Sequence, residues 1–229
     1  MTITIRPGTK LNPGMSVRVP VYVPPKSLSW DGTSQYVQIT GNKGDWNLGD
    51  NWTIEWWENM PSGSAGTGFR GVMSQDSNVQ PYAGIDIFHE GGRILLFNGA
   101  WEFTEPTRGQ WNHVAIQKNG ATVTAYGNGV AITVSANLTY GTLSNSSLDL
   151  AFGTRTYDGG ANHYGQWFKG QLANIRISNV ARYSGTFTPP LTLVTDANTK
   201  LAVSGELVDL TGRHTVTNNG VAVSTDFPA

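Results

Sequence analysis

In no part of the chain do apolar residues recur with the helical period of 3.6 residues for as many as three turns, which excludes a helical bundle. Its apolar residues fall instead in short alternating runs, the pattern of β-strands whose side chains point to opposite faces in turn. In the clearest run, residues 52–56, Trp52, Ile54 and Trp56 share one face and Glu55 lies on the other. This pattern predicts a half-buried strand with Glu55 facing solvent.

Turn residues separate these runs at short, regular intervals. Asn119-Gly120 and Gly127-Asn128-Gly129 divide residues 111–135 into three pieces, and both breaks predict tight hairpin turns because Asn and Gly tolerate positive φ. A three-stranded meander follows. Further strands are predicted over 36–40, 84–89, 93–98, 148–153, 170–177 and 214–224. About a dozen short antiparallel strands predict an all-β fold, a two-sheet sandwich or jelly roll.

The first 29 residues differ from the rest because they hold five of the eleven prolines. Proline cannot donate to a β-ladder, so residues 1–29 are predicted to be an extended arm that lies at an edge or against another molecule. The residues expected to carry this assembly contact are Ile3, Ile5, Pro7, Val17, Val19 and Val21. The alternative is a flexible N-terminal segment that binds no other surface. Residues 30–229 then form the body.

Charge and cysteine content exclude several classes of function. Charged residues make up 14% of the chain against a usual ~25%, and the net charge is −1, so no basic field is available for nucleic acid or for membrane headgroups. Without cysteine there is no disulfide, thiolate zinc cluster or Cys nucleophile. No apolar stretch fits a signal peptide or a membrane span, so we expect neither classical secretion nor membrane insertion.

Four segments of the body resemble one known family. Residues 30–39, 48–57, 109–130 and 168–177 resemble, in order and spacing, the characteristic strands of laminin G-like, concanavalin A-like jelly rolls. The resemblance implies a two-sheet antiparallel jelly-roll sandwich (concanavalin A-like) behind the Pro-rich arm.

The closing segment, residues 180–229, narrows the resemblance. Residues 196–201 (DANTKL) and 209–220 (DLTGRHTVTNNG) resemble the end of jelly-roll modules common in phage and prophage virion proteins. The chain departs from the family at Ala173-Asn174, where relatives often carry two Asp, so a charge-dependent role there is not carried over. The resemblance implies a place on a virion.

The same fold hosts glycosidases, whose catalytic carboxylates must share one sheet face. The comparable string, residues 84–90, has Gly84 at the nucleophile position and Phe88 and His89 at the acid positions. Glu55 and Glu58 are expected to be merely solvated. No His-x-His, His-Glu-x-x-His, phosphate loop or nucleophile elbow is present. The sequence therefore predicts a protein that is not an enzyme.

A sugar site needs an aromatic face and planar polar groups. Both occur in the loop of residues 154–167, between two predicted strands, with Trp101 as a second, separate candidate. The loop residues predicted to bind glycan are Arg155, Tyr157, Asp158, Asn162, His163, Tyr164 and Trp167. Two other interpretations stay open, namely an interface with a neighbouring subunit and plain packing.

No cofactor and no metal site are predicted. Laminin G-like relatives often hold calcium, which requires several oxygen ligands including carboxylates. Asp76 and Asp158 are the candidates, but no two carboxylates are close in sequence there.

The resulting hypothesis is a non-enzymatic phage virion surface protein, a capsid decoration or tail-associated subunit. Its arm would contact other virion proteins, and we expect a homo-oligomer or a part of a larger assembly, made in the host cytoplasm. The alternative is a receptor-binding adhesin that recognises host polysaccharide through the loop of residues 154–167. A glycoside hydrolase is the third hypothesis.

Overall fold

The computed structural model describes residues 25–63, 68–75, 84–96, 101–136, 148–156 and 164–228, with the backbone alone at 136, 156, 164 and 165. It is an all-β sandwich of two antiparallel sheets, which confirms the predicted fold class. The elements are β1 (Ser27–Asp31), β2 (Tyr36–Gly41), a 3-10 turn (Lys43–Trp46), β3 (Asn51–Asn59), β4 (Arg70–Ser74), β5 (Asp86–Glu90), β6 (Arg93–Leu96), β7 (Trp101–Thr104), β8 (Asn112–Asn119), β9 (Thr122–Gly127), β10 (Val130–Ile132), β11 (Ser135–Ala136), β12 (Leu150–Phe152), β13 (Arg155–Thr156), β14 (Tyr164–Gly165), β15 (Lys169–Ser178), β16 (Thr199–Val203), β17 (His214–Asn219) and β18 (Ala222–Ser224).

The first sheet, which we call sheet A, runs in the order β10-β9-β8-β3-β15-β1-β18. The long strand β15 pairs with β3 along one edge. Its other edge is shared, because β1 pairs with its first half and β16 with its second half. The predicted meander is confirmed as β8, β9 and β10, joined by turns at Asn119-Gly120 and Gly127–Val130.

The second sheet, sheet B, runs in the order β11-β7-β6-β5-β4-β12-β2-β17. The predicted strand over 214–224 is two strands. Its first half, β17, pairs with β2 in sheet B, and β18 pairs with β1 in sheet A. Gly220, at φ 86°, makes the turn between them, so this hairpin crosses from one sheet to the other.

The core lies between the sheets. Trp52, Ile54 and Trp56 of β3 are at most 1% exposed and face Ile87 and Phe152 of sheet B within one apolar cluster. The inward face predicted for β3 is therefore confirmed, and its three large side chains exclude water from the centre of the sandwich.

The other face of β3 is buried as well, so the prediction of a half-buried strand with a solvated Glu55 is wrong. Glu55 is only 2% exposed. Residues 180–196 cross this face, and Thr53 Oγ1 donates to the Val180 carbonyl while Trp57 Nε1 donates to the Pro190 carbonyl. Local alternation could not reveal this cover, because it comes from about 130 residues further along the chain.

The first strand begins before the predicted body boundary. Residues 27–29, assigned to the arm from the sequence, pair with β18 in sheet A, and residues 28–29 also pair with β15. Their alternation places Leu28 in the core, with 1% exposure. Residues 1–24, which include Ile3, Ile5, Pro7, Val17, Val19 and Val21, lie outside the described part of the chain.

Within the described ranges, no helix is long and apolar enough to cross a membrane.

Candidate functional site

Several loops converge at one end of the sandwich, which we call the groove end. Strand β3 ends there at Asn59, and β8 and β15 begin there at Asn112 and Lys169. Neighbouring antiparallel strands run in opposite directions, so the described parts of three connections meet at this end: residues 60–63 and 68–69, residues 105–111, and residues 153–156 and 164–168. The predicted sugar loop belongs to the last of them.

Arg155, at the start of that loop, is held by sheet B. Its Nε and Nη2 donate to Asp86 at 2.9 and 2.7 Å, and its guanidinium lies 4.0 Å from the centre of the Phe88 ring. Both Arg155 and Asp86 are buried. The bidentate pairing uses one edge of the guanidinium and the Phe88 ring covers one of its faces, so Arg155 anchors the start of the loop on β5.

Trp167, at the end of the loop, forms an aromatic pair with Tyr36 of β2. The ring centroids are 6.2 Å apart, the planes are inclined by 30°, and both residues are half-buried. Beside them Gln166 takes positive φ (55°), accepts a hydrogen bond from the Gly71 amide through its carbonyl, and receives Arg155 Nη1 at 3.4 Å through its side-chain oxygen. An aromatic surface and a planar amide therefore lie together at the groove end.

Of the other predicted site residues, Trp101 is described with its side chain, and it is not brought to this pair. Trp101 lies on β7 and packs, half-buried, against the core, on the same face of the strand as Phe103. Its neighbour Glu102 points to the opposite face, where it binds Arg93 at 2.6 Å. Four predicted loop residues lie outside the described residues: Tyr157, Asp158, Asn162 and His163. For Tyr164 only the backbone is described.

A buried chain of charges lies behind the groove end. His89 of β5 contacts Glu105 through Nδ1 at 2.9 Å and Glu58 through Nε2 at 3.1 Å. Arg108 closes the chain by donating to both oxygens of Glu105 at 2.7 and 2.8 Å. Only an imidazolium donates from both nitrogens at once, so the geometry calls for a charged His89 between two carboxylates.

The pKa values agree with that geometry. Burial opposes charge on His89, but attraction to Glu58 and the hydrogen bonds to Glu105 and Glu58 outweigh it and raise the His89 pKa to about 9. Burial also opposes charge on Glu105, and the hydrogen bonds from His89 and Arg108 outweigh it and lower the Glu105 pKa to about 2. Glu105 is therefore an ionised carboxylate, held in place by His89 and Arg108.

Sequence reasoning missed this network. Its members are 31 and 16 residues apart along the chain, and no local motif joins them. One signal was available, because alternation along β3 puts Glu58 on the same face as Trp56. Trp56 Nε1 in fact donates to Glu58 at 2.7 Å. A carboxylate predicted to point inward needs a buried partner, and a histidine in a facing strand is a suitable one.

A polar groove opens beside Glu105, between the 104–112 connection and the β9–β10 turn. Its volume is about 340 Å³, and its walls include Gln110, Asn112 and Asn128. The amides hold one another, since Asn128 Nδ2 donates to Asn112 Oδ1 at 3.0 Å. Pro106 and Ile132 supply an apolar part of the lining.

The buried carboxylate of Glu55 is engaged in ion pairs of a structural kind. Glu55 binds Arg176 at 2.6 Å and His113 at 3.2 Å, and it accepts a hydrogen bond from Tyr183. Burial would raise the Glu55 pKa, but the His113 hydrogen bond and the Arg176 charge outweigh it and lower the pKa. This cluster fastens residues 180–196 over sheet A.

Among the described residues, the ion-paired carboxylates Glu55, Asp86 and Glu105 are not prepared for retaining hydrolysis. A glycosidase needs one carboxyl group whose pKa is raised so that it can donate a proton, whereas Glu55 and Glu105 are lowered and Asp86 is paired with Arg155. Across the described ranges, no group of three His, Asp or Glu side chains could hold a metal ion. The calcium candidates Asp76 and Asp158 lie outside those ranges.

A family comparison agrees with the architecture. The family model described as the concanavalin A-like lectin/glucanases superfamily matches residues 31–185. The chain belongs to this superfamily. A search of curated protein sequences found no match.

Solved structures show the same fold at low sequence identity. A protein of Bacteroides ovatus assigned a carbohydrate-binding role has a TM-score of 0.68 and 17% identity over 90% of this chain, which covers 61% of that protein's chain. The heptameric SAP-like pentraxin of Limulus polyphemus has a TM-score of 0.52 and 12% identity over 89% of this chain and 96% of its own. The CBM40 domain of the Ruminococcus gnavus IT-sialidase, bound to α2,3 sialyllactose, has a TM-score of 0.52 and 10% identity over 69% of this chain and 92% of its own. At these identities the likeness concerns the fold.

Proposed function

We propose that this superfamily member is a non-enzymatic glycan-binding protein on the surface of a phage virion, a capsid decoration or tail-associated subunit joined to other virion proteins by its N-terminal arm. The observation that carries the binding role is the half-buried Tyr36–Trp167 pair beside the amide of Gln166 at the groove end. Aromatic faces pack on the apolar side of a pyranose, and amides hydrogen-bond its hydroxyls.

The structural neighbours support a glycan as the ligand class. The Bacteroides protein is described as carbohydrate-binding, and the CBM40 domain is bound to a sialylated sugar. Both share this fold with the chain. A fold hosts many functions, so this support counts only together with the aromatic pair.

The charge arrangement supports binding rather than hydrolysis. The Glu105 carboxylate, whose pKa is about 2, stays ionised across physiological pH. A glycosidase acid needs the opposite shift. Release of reducing ends from a panel of β-glucans would therefore contradict the proposal.

The virion location is supported by the sequence of the closing segment, residues 196–220, and by the proline-rich arm. A glycan-binding subunit on a virion is compatible with two positions. On the capsid it would be a decoration protein, and at the tail tip it would be the adhesin that recognises host polysaccharide. The aromatic pair serves either position.

The glycan site is tested by replacing Trp167 with alanine. We expect Trp167→Ala to weaken retention on host-envelope glycans by about tenfold or more, the equivalent of ~1.4 kcal/mol, because the stacking face is lost. Trp111→Ala is the matched control, since Trp111 is also a half-buried tryptophan but packs near Phe227 rather than against Tyr36. Equal retention of the wild type and Trp167→Ala would exclude this site.

The virion role is tested by electron microscopy. Particles carrying a gold label at the C-terminus of this chain are expected to show the label at regular positions on the capsid or on the tail. Label confined to one tail tip would favour the adhesin, and label over the capsid would favour a decoration protein. Purified particles without label would contradict a virion location.

A further inference from the structure

An apolar groove lies on the outer side of sheet A, and we call it the leucine groove. Its volume is about 500 Å³. Most of its lining is apolar: Pro25, Leu191, Leu193, Leu210, Phe227 and Pro228. Leu191 and Leu210 are 44% and 46% exposed. A single exposed leucine is common on protein surfaces, but these two line the same groove and therefore form an exposed apolar patch.

Both walls of the leucine groove are fixed. On one side, Asn174 Nδ2 donates to the Leu191 carbonyl at 2.9 Å, which holds the 191–193 stretch on β15. On the other side, Asp226 accepts hydrogen bonds from Ser27 Oγ at 2.6 Å and from Trp111 Nε1 at 3.2 Å. A groove with fixed walls offers a ready surface, so an occupant binds it without a cost of reorganisation.

We propose that residues 17–23 of the same chain occupy the leucine groove. Pro25 is itself part of the lining, so the preceding segment leaves from the groove. At ~3.3 Å per extended residue, Val23 reaches about 7 Å from Pro25 and Val17 about 26 Å, which keeps the whole segment within reach. The short connection favours the chain's own segment over that of another molecule, because its effective concentration is high.

The sequence of this segment matches an apolar groove. Valine occupies positions 17, 19, 21 and 23, alternating with Arg18, Pro20, Tyr22 and Pro24. In an extended chain the four valines share one face. Pro20 and Pro24 fall on the positions that alternate with the valines, whose backbone nitrogens face one edge of the extended segment. That edge loses two N–H donors, whereas the opposite edge, formed by the backbone N–H groups of the valines, keeps all of its donors. Such a segment has one apolar face and one hydrogen-bonding edge.

The inference goes beyond the proposed function and does not depend on it. It divides the N-terminal segment into a part held on its own body, residues 17–23, and a part that is free to contact a neighbour, residues 1–16. Ile3 and Ile5 belong to the second part, and Val17, Val19 and Val21 to the first.

The absence of cysteine allows a direct test in the full chain. Leu210→Cys is combined with a second cysteine at Val19, Val21 or Val23, and disulfide formation is followed under mild oxidation. Arg18→Cys and Tyr22→Cys, each combined with Leu210→Cys, are matched controls on the opposite face. A disulfide requires Cα atoms about 4.4–6.8 Å apart, so we expect at least one valine position to cross-link about tenfold faster than the controls, within monomers.

Each other result overturns the proposal. Cross-linked dimers would assign the groove to the segment of a second copy. Equal rates on the two faces, or no cross-link at all, would mean that the segment lies elsewhere. Hydrogen exchange of the unsubstituted chain gives an answer that needs no cysteine variant to fold. The amides of residues 17–23 should exchange slowly, and they should exchange fast in Val19→Asp/Val21→Asp but not in Arg18→Ser.

Discussion

At the scale of single residues, the clearest feature is a histidine kept charged inside the protein. His89 is 1% exposed, and both ring nitrogens contact carboxylates, those of Glu58 and Glu105. A buried charge is tolerated only when its partners satisfy it, and removing one partner from such a set typically costs about 3–5 kcal/mol. His89 therefore couples the stability of the groove end to pH.

We expect the free energy of unfolding to fall as pH rises from 6.5 to 9. The folded pKa of His89, about 9, lies above the ordinary value of 6.5, so its stabilisation is complete below pH 6.5 and is lost as pH rises through 9. The shift corresponds to at most ~3 kcal/mol. Urea unfolding at a series of pH values measures it.

His89→Gln is the control for this titration, because glutamine keeps a donor but does not ionise. The variant should be less stable than the wild type at pH 6 and nearly independent of pH between 6.5 and 9. A wild-type stability that does not change over this window would contradict the charged state of His89.

Glu105 couples stability to pH at the acid end. Because its pKa is lowered to about 2, its contribution to the free energy of unfolding is complete above pH 4.5 and is lost as pH falls through 2.

At the scale of elements, residues 180–196 determine how the first sheet is finished. Tyr183 and Phe187 stack with centroids 3.6 Å apart, and Phe187 lies edge-on to Tyr126 of β9 at 5.3 Å. The Phe187 amide donates to the Gly129 carbonyl at 3.0 Å, so the segment is fixed to the β9–β10 turn. The turn and its cover are one structural unit.

Replacing Gly129 with alanine should break that unit. Gly129 has φ 79°, and a Cβ there would lie 1.8 Å from the Phe187 carbonyl oxygen, so the cover must move. Gly120, in the other turn of the meander, also has positive φ (59°) but no atom within 4 Å of a Cβ. Gly120→Ala should cost only the ~1 kcal/mol of the left-handed conformation, and Gly129→Ala clearly more.

Chemical denaturation of the two variants measures this difference, and protease digestion between residues 180 and 196 reports whether the cover has detached. Faster cleavage is expected in Gly129→Ala alone. Equal stability of the two alanine variants would show that the turn does not support the segment.

Local signals in the sequence were sufficient for the β8–β10 meander but not for the surroundings of the strands. Asn119-Gly120 and Gly127-Asn128-Gly129 marked both turns of the meander, because their backbone requirement is local. The burial of Glu55 was missed because it depends on Arg176, 121 residues away. The ion pair of Arg155 with Asp86, 69 residues earlier, was missed for the same reason, since nothing near Arg155 in the sequence indicates it.

At the scale of the whole molecule, charged residues are sparse, at 14% of the chain. The chain carries a net charge of −1, and the ion pairs of Glu55, Asp86 and Glu105 lie inside it. Contacts made by apolar side chains and backbone groups are only weakly screened by salt. An assembly built on the N-terminal segment should therefore tolerate changes of ionic strength.

Removing residues 1–16 separates the two roles proposed for the N-terminal segment. The truncated chain keeps the four valines beside the leucine groove, so its unfolding transition and its retention on glycans should match those of the full chain. It lacks Ile3 and Ile5, the part free to contact a neighbour, so its amount in purified particles should fall about tenfold or more, the loss of ~1.4 kcal/mol or more of contact. The ratio of truncated to full chain in the particles should be the same in about 0.05 M and about 0.5 M sodium chloride, because salt does not screen apolar contacts. Full incorporation of the truncated chain would place the assembly contact on the jelly-roll body instead.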